Sequence, residues 1–181
     1  MANWKTLSSR IAYENPFMLV HEDQAINPAG KRTIYGYVES KSDSVYVVPV
    51  DDERNTYLVR QYRYPIKQAT WELVAGRTDN QPPETAAKRE LLEETGLEAD
   101  DITTIGEIYM ATGIAGFKST ICIARSLTKV TDQLDESDGI LEVMRVSMDE
   151  VVEKILAREI QCSPSITAFF MAKAYLEGEK K

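Results

Sequence analysis

The chain has 181 residues, enough for one ordinary globular core and no more. Its 21 Lys and Arg stand against 29 Asp and Glu, and the resulting formal charge of −8 argues against a nucleic-acid partner held by bulk charge. A content of 43% hydrophobic and 28% charged residues excludes disordered and fibrous classes. Two β-rich runs come first, Thr33 to Glu39 and Ser44 to Val50, separated by the polar Ser40 to Asp43; the second reads as buried on both faces. Asp51 to Asn55 has turn chemistry and Thr56 to Tyr62 alternates, so a hairpin is expected here. Further strands are expected at Trp71 to Val74, Ile105 to Met110, Ser119 to Ala124 and Leu141 to Val146.

Three segments read as helices. Glu84 to Thr95 follows Pro82 and Pro83, which tolerate a first helical turn, and stops at Gly96, suited to a left-handed terminus. Asp149 to Arg158 spaces Val151, Val152, Ile155 and Leu156 helically, and Pro164 to Leu176 does so with Ile166, Phe169, Phe170, Ala174 and Tyr175. Strands alternating with helices, without repeats or linkers, predict a single α/β domain with a mixed sheet between helices. Cys122 and Cys162 are far apart and have no histidine-rich neighbours, so they form no zinc site and suit a reducing compartment. With no apolar leader core and no stretch of roughly 18 apolar residues, we expect a cytoplasmic protein with no membrane partner.

The most informative stretch is Arg89-Glu90-Leu91-Leu92-Glu93-Glu94-Thr95-Gly96-Leu97. On a helix, Glu90, Glu93 and Glu94 fall at i, i+3 and i+4, and their carboxylates share one patch. Such crowding costs a few tenths of a kcal/mol per pair, about 0.3, unless a cation lies among them, and Mg²⁺ prefers oxygen ligands. Arg89, four residues before Glu93, can hold one carboxylate in place. Taken as a helix alone, this is equally a solvated, salt-bridged face. Trp71 to Gly76, a strand running into a glycine-containing loop just upstream, shifts the reading, because it can bring a backbone carbonyl beside the acids.

The stretch from Gly76 to Leu97 resembles the Nudix box, G-x5-E-x7-R-E-U-x-E-E-x-G-U, where U is aliphatic. Arg89, Glu90, Leu91, Glu93, Glu94, Gly96 and Leu97 match its second half. The first half departs: Gln81 stands where the pattern has Glu, the loop from Gly76 is one residue short, and Pro82-Pro83 replaces a polar cap. Gln61 to Pro65 together with Trp71 to Gly76 resembles the branch that includes ADP-ribose pyrophosphatases and other nucleoside diphosphate sugar hydrolases. The resemblance implies a Nudix-type α/β/α sandwich with a mixed central sheet, organised as one domain over 1–181. Residues 1–43 would form an N-terminal strand and dimerisation region and 44–181 the catalytic core. It further implies a homodimer and a Mg²⁺ cofactor, with Mn²⁺ as a possible substitute. Glu90 and Glu94 would be the main metal ligands, Glu93 a third carboxylate, and Ala75 a ligand through its carbonyl. Arg89 would orient the acids and Arg63 would contact phosphate.

Diphosphate hydrolysis needs cations to neutralise the phosphates and a base to take the water proton. In this branch the base is implied to be a Glu on a loop after the box. Here Asp135 to Gly139 occupies that place; the candidates in order are Glu136, Asp138 and Glu142, with solvated loop acids as the competing reading. Arg60 and Arg77 join Arg63 as cations for phosphate, and Trp71 and Glu72 as substrate-side residues. Trp4, Tyr13, Phe17, Tyr35 and Tyr37 could stack on a base or a partner subunit, although most strand tyrosines simply pack. Thr112 to Phe117, with two glycines, suits a mobile loop lining the pocket. His21 has no Ser or Cys beside it and receives no role. The expected activity is cleavage of ADP-ribose or another nucleoside diphosphate sugar to a nucleoside monophosphate and a sugar phosphate. The alternatives are a Nudix hydrolase of another dinucleotide or nucleoside polyphosphate, a catalytically silent nucleotide sensor, and an interaction protein whose acidic helix is only a solvated face.

Overall fold

The structure, a computed structural model, describes residues 3–134 and 139–179. The chain divides into two compact units, Met1–Asp43 with Tyr109–Lys118, and Ser44–Ile108 with Ser119–Lys181. Among the described residues no helix is long and apolar enough to cross a membrane.

In the first unit β1 (Lys5–Glu14), β2 (Met18–Ile26) and β3 (Arg32–Ser40) form an antiparallel sheet in that order. Asn15 turns the chain between β1 and β2 by accepting the N–H groups of Phe17 and Met18 at 2.8 and 2.9 Å. All ten residues of β1 are exposed, so no burial alternation marks it in the sequence. Thr112 to Phe117, expected to be a free loop, is tied to β3: Val38 N–H donates to Ile114 O at 2.8 Å and the Tyr35 hydroxyl to Gly113 O at 2.8 Å. Trp4 meets Tyr35 edge-on at 4.9 Å, and His21 stacks on Tyr37 at 4.6 Å while its Nε2 lies 2.7 Å from Glu39. These aromatic side chains are therefore engaged with one another within the unit.

The second unit is built on β4 (Ser44–Pro49), whose Val45, Tyr46, Val47 and Val48 are all buried. β4 pairs antiparallel with β7 (Val74–Arg77) and parallel with β9 (Phe117–Lys129), and β8 (Leu97–Met110) completes a mixed four-stranded sheet in the order β7-β4-β9-β8. β5 (Asn55–Arg63), β6 (Gln68–Glu72) and β10 (Ile140–Ser147) form a separate antiparallel sheet in the order β10-β5-β6. The expected hairpin of β4 with β5 is thus corrected. Asp51 Oδ1 accepts from Glu53 and Asn55 N–H at 3.0 and 2.8 Å and reverses the chain, but both neighbours of β4 are already β7 and β9, so the next strand enters the other sheet. The strand expected across Trp71 to Val74 is likewise split. β6 ends at Glu72, β7 begins at Val74, and Leu73 is where the chain changes sheets.

α1 (Pro83–Thr95) packs on β4 and β7 and also reaches β5 and β10, α2 (Met148–Leu156) packs on β10, and α3 (Ser163–Gly178) on β4. Strand alternation explains how β4 serves two helices. Val45 and Val47 join Ala86, Ala87 and Leu91 of α1 in the main core, whereas Tyr46 points toward Cys162 at the start of α3. The buried face of α3 is Ser165, Ala168, Phe169, Ala172 and Leu176; small side chains bring the helix close to the sheet and leave Phe170 and Tyr175 exposed. α2 starts with a reciprocal capping box between Ser147 and Glu150.

Candidate active site

Helix α1 starts at Pro82 with no side-chain cap, as its two prolines imply, and stops at Gly96 with φ +69°. A Cβ at Gly96 would lie 2.0 Å from Thr131 O, so neither the dihedral nor the space admits another residue. The last turn of α1 has no basic residue of its own; Lys129 of β9 donates instead to Thr95 O at 2.9 Å.

On this helix Glu90 and Glu94 are 4% and 2% exposed, among the most deeply buried charged side chains of the described residues. Desolvating carboxylates costs several kcal/mol per ion, and the structure answers with specific partners. Ala75 N–H donates to Glu94 Oε2 at 3.2 Å, placing the β7 backbone directly on that carboxylate. Arg89 Nη2 lies 2.8 Å from Glu90 Oε1 and also donates to Arg77 O at 2.7 Å, while Nη1 donates to Glu93 Oε2 at 2.9 Å. One guanidinium therefore aligns two carboxylates and pins the end of β7 to the helix. Burial works against the charged form of Arg89, but the charges of Glu90 and Glu93 outweigh it and raise its pKa.

The one-residue deletion in the loop is absorbed by a turn with Asp79 and Asn80 at φ +48° and +64°, closed by Gln81 N–H to Thr78 O at 2.9 Å. Positive φ at both central positions is the type I′ pattern, and Asp and Asn tolerate it best after glycine. Gln81, in place of the expected Glu, still accepts from Arg89 Nε at 3.4 Å. Gly76 is held for space. A Cβ there would lie 2.0 Å from Glu90 Cδ and about as close to both carboxylate oxygens.

This donor set fits a hard divalent cation: buried carboxylates one helical turn apart, a backbone strand against them, and a glycine that makes room for Glu90. Among the described residues no three His, Cys, Asp or Glu side chains close a cage by themselves.

Arg63 and Glu72 form a second cluster. Arg63 Nε and Nη2 each donate to Glu72 at 2.9 Å, a bidentate fork, and the Thr70 hydroxyl also donates to Glu72. Burial pushes the Glu72 carboxyl up, but the Arg63 fork and the Thr70 hydroxyl outweigh it, so its pKa lies below the usual range. A hollow of about 520 Å³, lined among others by Tyr46, Arg63, Gln68, Thr70, Glu72 and Cys162, opens beside this pair; its size is that of a small-ligand site. Burial pushes the Tyr46 phenol up, so it stays protonated there.

The other expected residues are placed as follows. Arg60 and Trp71 are register partners on the face opposite Glu72, line a separate hollow of about 230 Å³, and so do not join Arg63. Glu142 lies 3.7 Å from Arg60, and Arg77 pairs with Asp79 at 3.2 Å. Glu136 and Asp138 lie outside the described residues. Sequence reasoning missed Thr70, Cys162 and Ser165. The period-two alternation that puts Thr70 on the face of Glu72 could have found the first; nothing local marks the others, which meet β6 only across the fold.

Comparison with known proteins bears on the family and the fold. Over 97% of both chains, the sequence is 28% identical to ADP-ribose pyrophosphatase of Bacillus subtilis (strain 168). It is 27% identical to ADP-ribose pyrophosphatase of Mycobacterium tuberculosis (strain ATCC 25618 / H37Rv), covering 97% of this chain and 86% of that one. A crystal structure of an ADP compounds hydrolase superposes with a TM-score of 0.85 over 97% of this chain and 95% of that one at 21% identity, which shows the shared fold. Residues 4–38 match the nucleoside diphosphate sugar hydrolase N-terminal domain. Residues 40–165 match the NUDIX domain, and the chain belongs to the Nudix family of hydrolases.

Proposed function

We propose that the protein is a Mg²⁺-dependent pyrophosphohydrolase, with Mn²⁺ able to substitute, that cleaves the diphosphate of ADP-ribose or another nucleoside diphosphate sugar to a nucleoside monophosphate and a sugar phosphate. The observation that carries this is the pair Glu90 and Glu94, buried one turn apart against the Ala75 backbone. The names of the relatives support the substrate class. Glu90, Glu94 and the Ala75 carbonyl would hold the cation, with Glu93 as a further carboxylate; held there, it would supply neutralisation of the diphosphate and a lowered pKa for water.

Arg89 keeps the carboxylates aligned, so the oxygen cluster is formed before substrate arrives. Arg63, already set by Glu72 at the hollow, binds phosphate through its guanidinium. Hydrolysis forms a bond from water oxygen to one phosphorus and breaks that phosphorus's bond to the bridging oxygen, which leaves on the other phosphate. The water proton passes to a carboxylate of the loop after the box, Glu136 first, then Asp138; Glu142, third in that order, stands on β10 beside Arg60. The reading includes a cytoplasmic homodimer assembled through residues 1–43. It is supported by the exposed Trp4, Leu7, Ile11, Tyr13, Phe17 and Ile34 of the first unit, large apolar side chains of the kind a partner surface covers.

Product analysis tests the proposal. The protein is incubated with ADP-ribose, ADP-glucose, GDP-mannose, UDP-glucose and a dinucleoside polyphosphate, with Mg²⁺ or with chelator, beside Glu94→Gln. Release of nucleoside monophosphate only with Mg²⁺, lost in the variant, is expected. Ligand binding without metal and without products would establish a silent nucleotide sensor instead.

A further inference from the structure

Ser165 belongs to none of the motifs that define the site, yet it is 1% exposed in the first turn of α3 and accepts the N–H of Leu73 at 3.1 Å. Leu73 is the single residue between β6 and β7, where the chain leaves one sheet for the other. Its N–H is buried with the residue, 2% exposed, and a buried N–H without an acceptor is costly. Cys162, the residue just before α3, lines the same hollow as Glu72. The start of α3 thus meets two successive residues from about ninety residues away, the Leu73 backbone through Ser165 and the Glu72 side chain beside Cys162.

What lies on either side gives this grip its importance. Glu72 carries the fork that orients Arg63 at the hollow. Two residues beyond Leu73, Ala75 donates to Glu94, and Gly76 then passes over Glu90. We propose that Ser165 is a positioning residue: by fixing Leu73 it sets the offset between the Arg63–Glu72 pair and the oxygen cluster of Ala75, Glu90 and Glu94. This rests on the hydrolase reading above. Without the hydroxyl, Leu73 must shift to find another acceptor, and a shift two residues from Ala75 moves its carbonyl and its bond to Glu94. Sub-ångström precision is what such clusters require; a misplacement of about 1 Å can cost roughly a hundredfold in rate.

The test uses the full chain with Ser165→Ala, Ser165→Thr and, as a control for mere loss of stability, Leu176→Ala, another buried position of α3 away from Leu73. Two readouts are taken: binding of Mn²⁺ to the substrate-free protein, followed by the paramagnetic resonance signal of free Mn²⁺, and the Mg²⁺ concentration giving half-maximal ADP-ribose hydrolysis. Ser165→Ala is expected to weaken Mn²⁺ binding and to raise the Mg²⁺ midpoint by about tenfold. Ser165→Thr, which keeps the acceptor, restores both to within about threefold. Leu176→Ala lowers Tm and leaves both unchanged. Should Ser165→Ala fail to fold, Ser165→Cys, of similar shape but with only a weak acceptor, takes its place. Unmoved Mn²⁺ affinity and Mg²⁺ midpoint in an active, folded Ser165→Ala protein overturn the proposal alone, as does an equal shift in Leu176→Ala. A wild-type protein with neither Mg²⁺-dependent turnover nor Mn²⁺ binding removes the hydrolase reading and this one with it.

Discussion

Replacing Gly76 by alanine adds one methyl group at the tightest point of the site. The new Cβ would lie 2.0 Å from Glu90 Cδ, against ordinary contact from 3.4 Å upward, so carboxyl and strand must separate by about 1.4 Å. Glu90 is 4% exposed and cannot swing into solvent; it must leave its rotamer and its 2.8 Å contact with Arg89. Overpacking costs about 1–3 kcal/mol, and weakening a charge-assisted bond adds about 1 kcal/mol, so a loss of about 3 kcal/mol is expected. For a chain of this size that lowers Tm by roughly 6–12 °C. Displacing Glu90, the metal ligand proposed above, by more than 1 Å is expected to lower kcat about a hundredfold and to raise the Mg²⁺ midpoint. Thermal melts and Mg²⁺ titrations of ADP-ribose hydrolysis read both quantities. A second comparison isolates the cause. In a Glu90→Ala background the three atoms nearest the new methyl group are gone, so adding Gly76→Ala there is expected to cost under about 0.5 kcal/mol. A Gly76→Ala protein with wild-type Tm and turnover, or an equal penalty in both backgrounds, refutes the reasoning.

Glu94→Gln keeps an amide oxygen to accept from Ala75 N–H, so Tm is expected to move by no more than about 1 kcal/mol equivalent while turnover falls at least a hundredfold, as a melt beside an initial-rate assay will read. Stability should follow the Glu72 carboxyl in acid: its folded pKa is depressed from 4.5, so its contribution is complete above about pH 5 and is lost as pH falls through the folded value. Glu72→Gln should therefore flatten the stability profile in that window, and an unchanged slope would place the acid sensitivity elsewhere. Arg63→Met leaves Glu72, whose side chain is 3% exposed, without its fork, and a loss of about 2 kcal/mol is expected, below the figure for a fully buried pair because Arg63 is 37% exposed. With burial then raising the Glu72 pKa, the sign reverses, and stability in that variant falls as pH rises through it. Gln81→Glu, measured by chemical denaturation, should change stability by less than about 0.5 kcal/mol, because the Arg89 contact at 3.4 Å is exposed.

The site was legible where its logic is local. The spacing of Glu90, Glu93 and Glu94 and the position of Arg89 before Glu93 are helix arithmetic, and the ion pair at 2.9 Å follows from it. Gly96 ends α1 as expected because its demand for positive φ is intrinsic to the residue. Partner choice among strands was not legible. The turn at Asp51 reverses the chain whichever strand lies next to β4, so the sequence there shows a reversal but not a pairing. Leu73 looks like the interior of one apolar strand, and what breaks it is a hydroxyl 92 residues away. β9 runs past Ala124 into a largely polar stretch where periodicity carries little burial signal, whereas β8 begins already at Leu97, where the buried Leu97 and Ala99 stand among the exposed Glu98, Asp100 and Asp101 and make a pattern too short to read as a strand. The face of α3 differed because Ser165, Ala168 and Ala172 are buried for their smallness, which a search for large apolar residues passes over.

Lys129, reaching from β9 to the last carbonyl of α1, has a consequence for the order in which the protein folds. The thirteen-residue helix has no side-chain cap at its start, no cation of its own at its end and a run of like charges between, so it gains little from local interactions and would be sparsely populated in isolation. It packs chiefly on β4 and β7, and β9, which follows it by more than twenty residues in the chain, adds the Lys129 bond and Cys122 and Ala124 to the shared core. Lys129→Ala should accordingly speed unfolding far more than it slows refolding, giving a φ-value near zero. The acidic cluster is then completed only as the last native contacts close, and a folding intermediate that lacks β9 presents no assembled cation site.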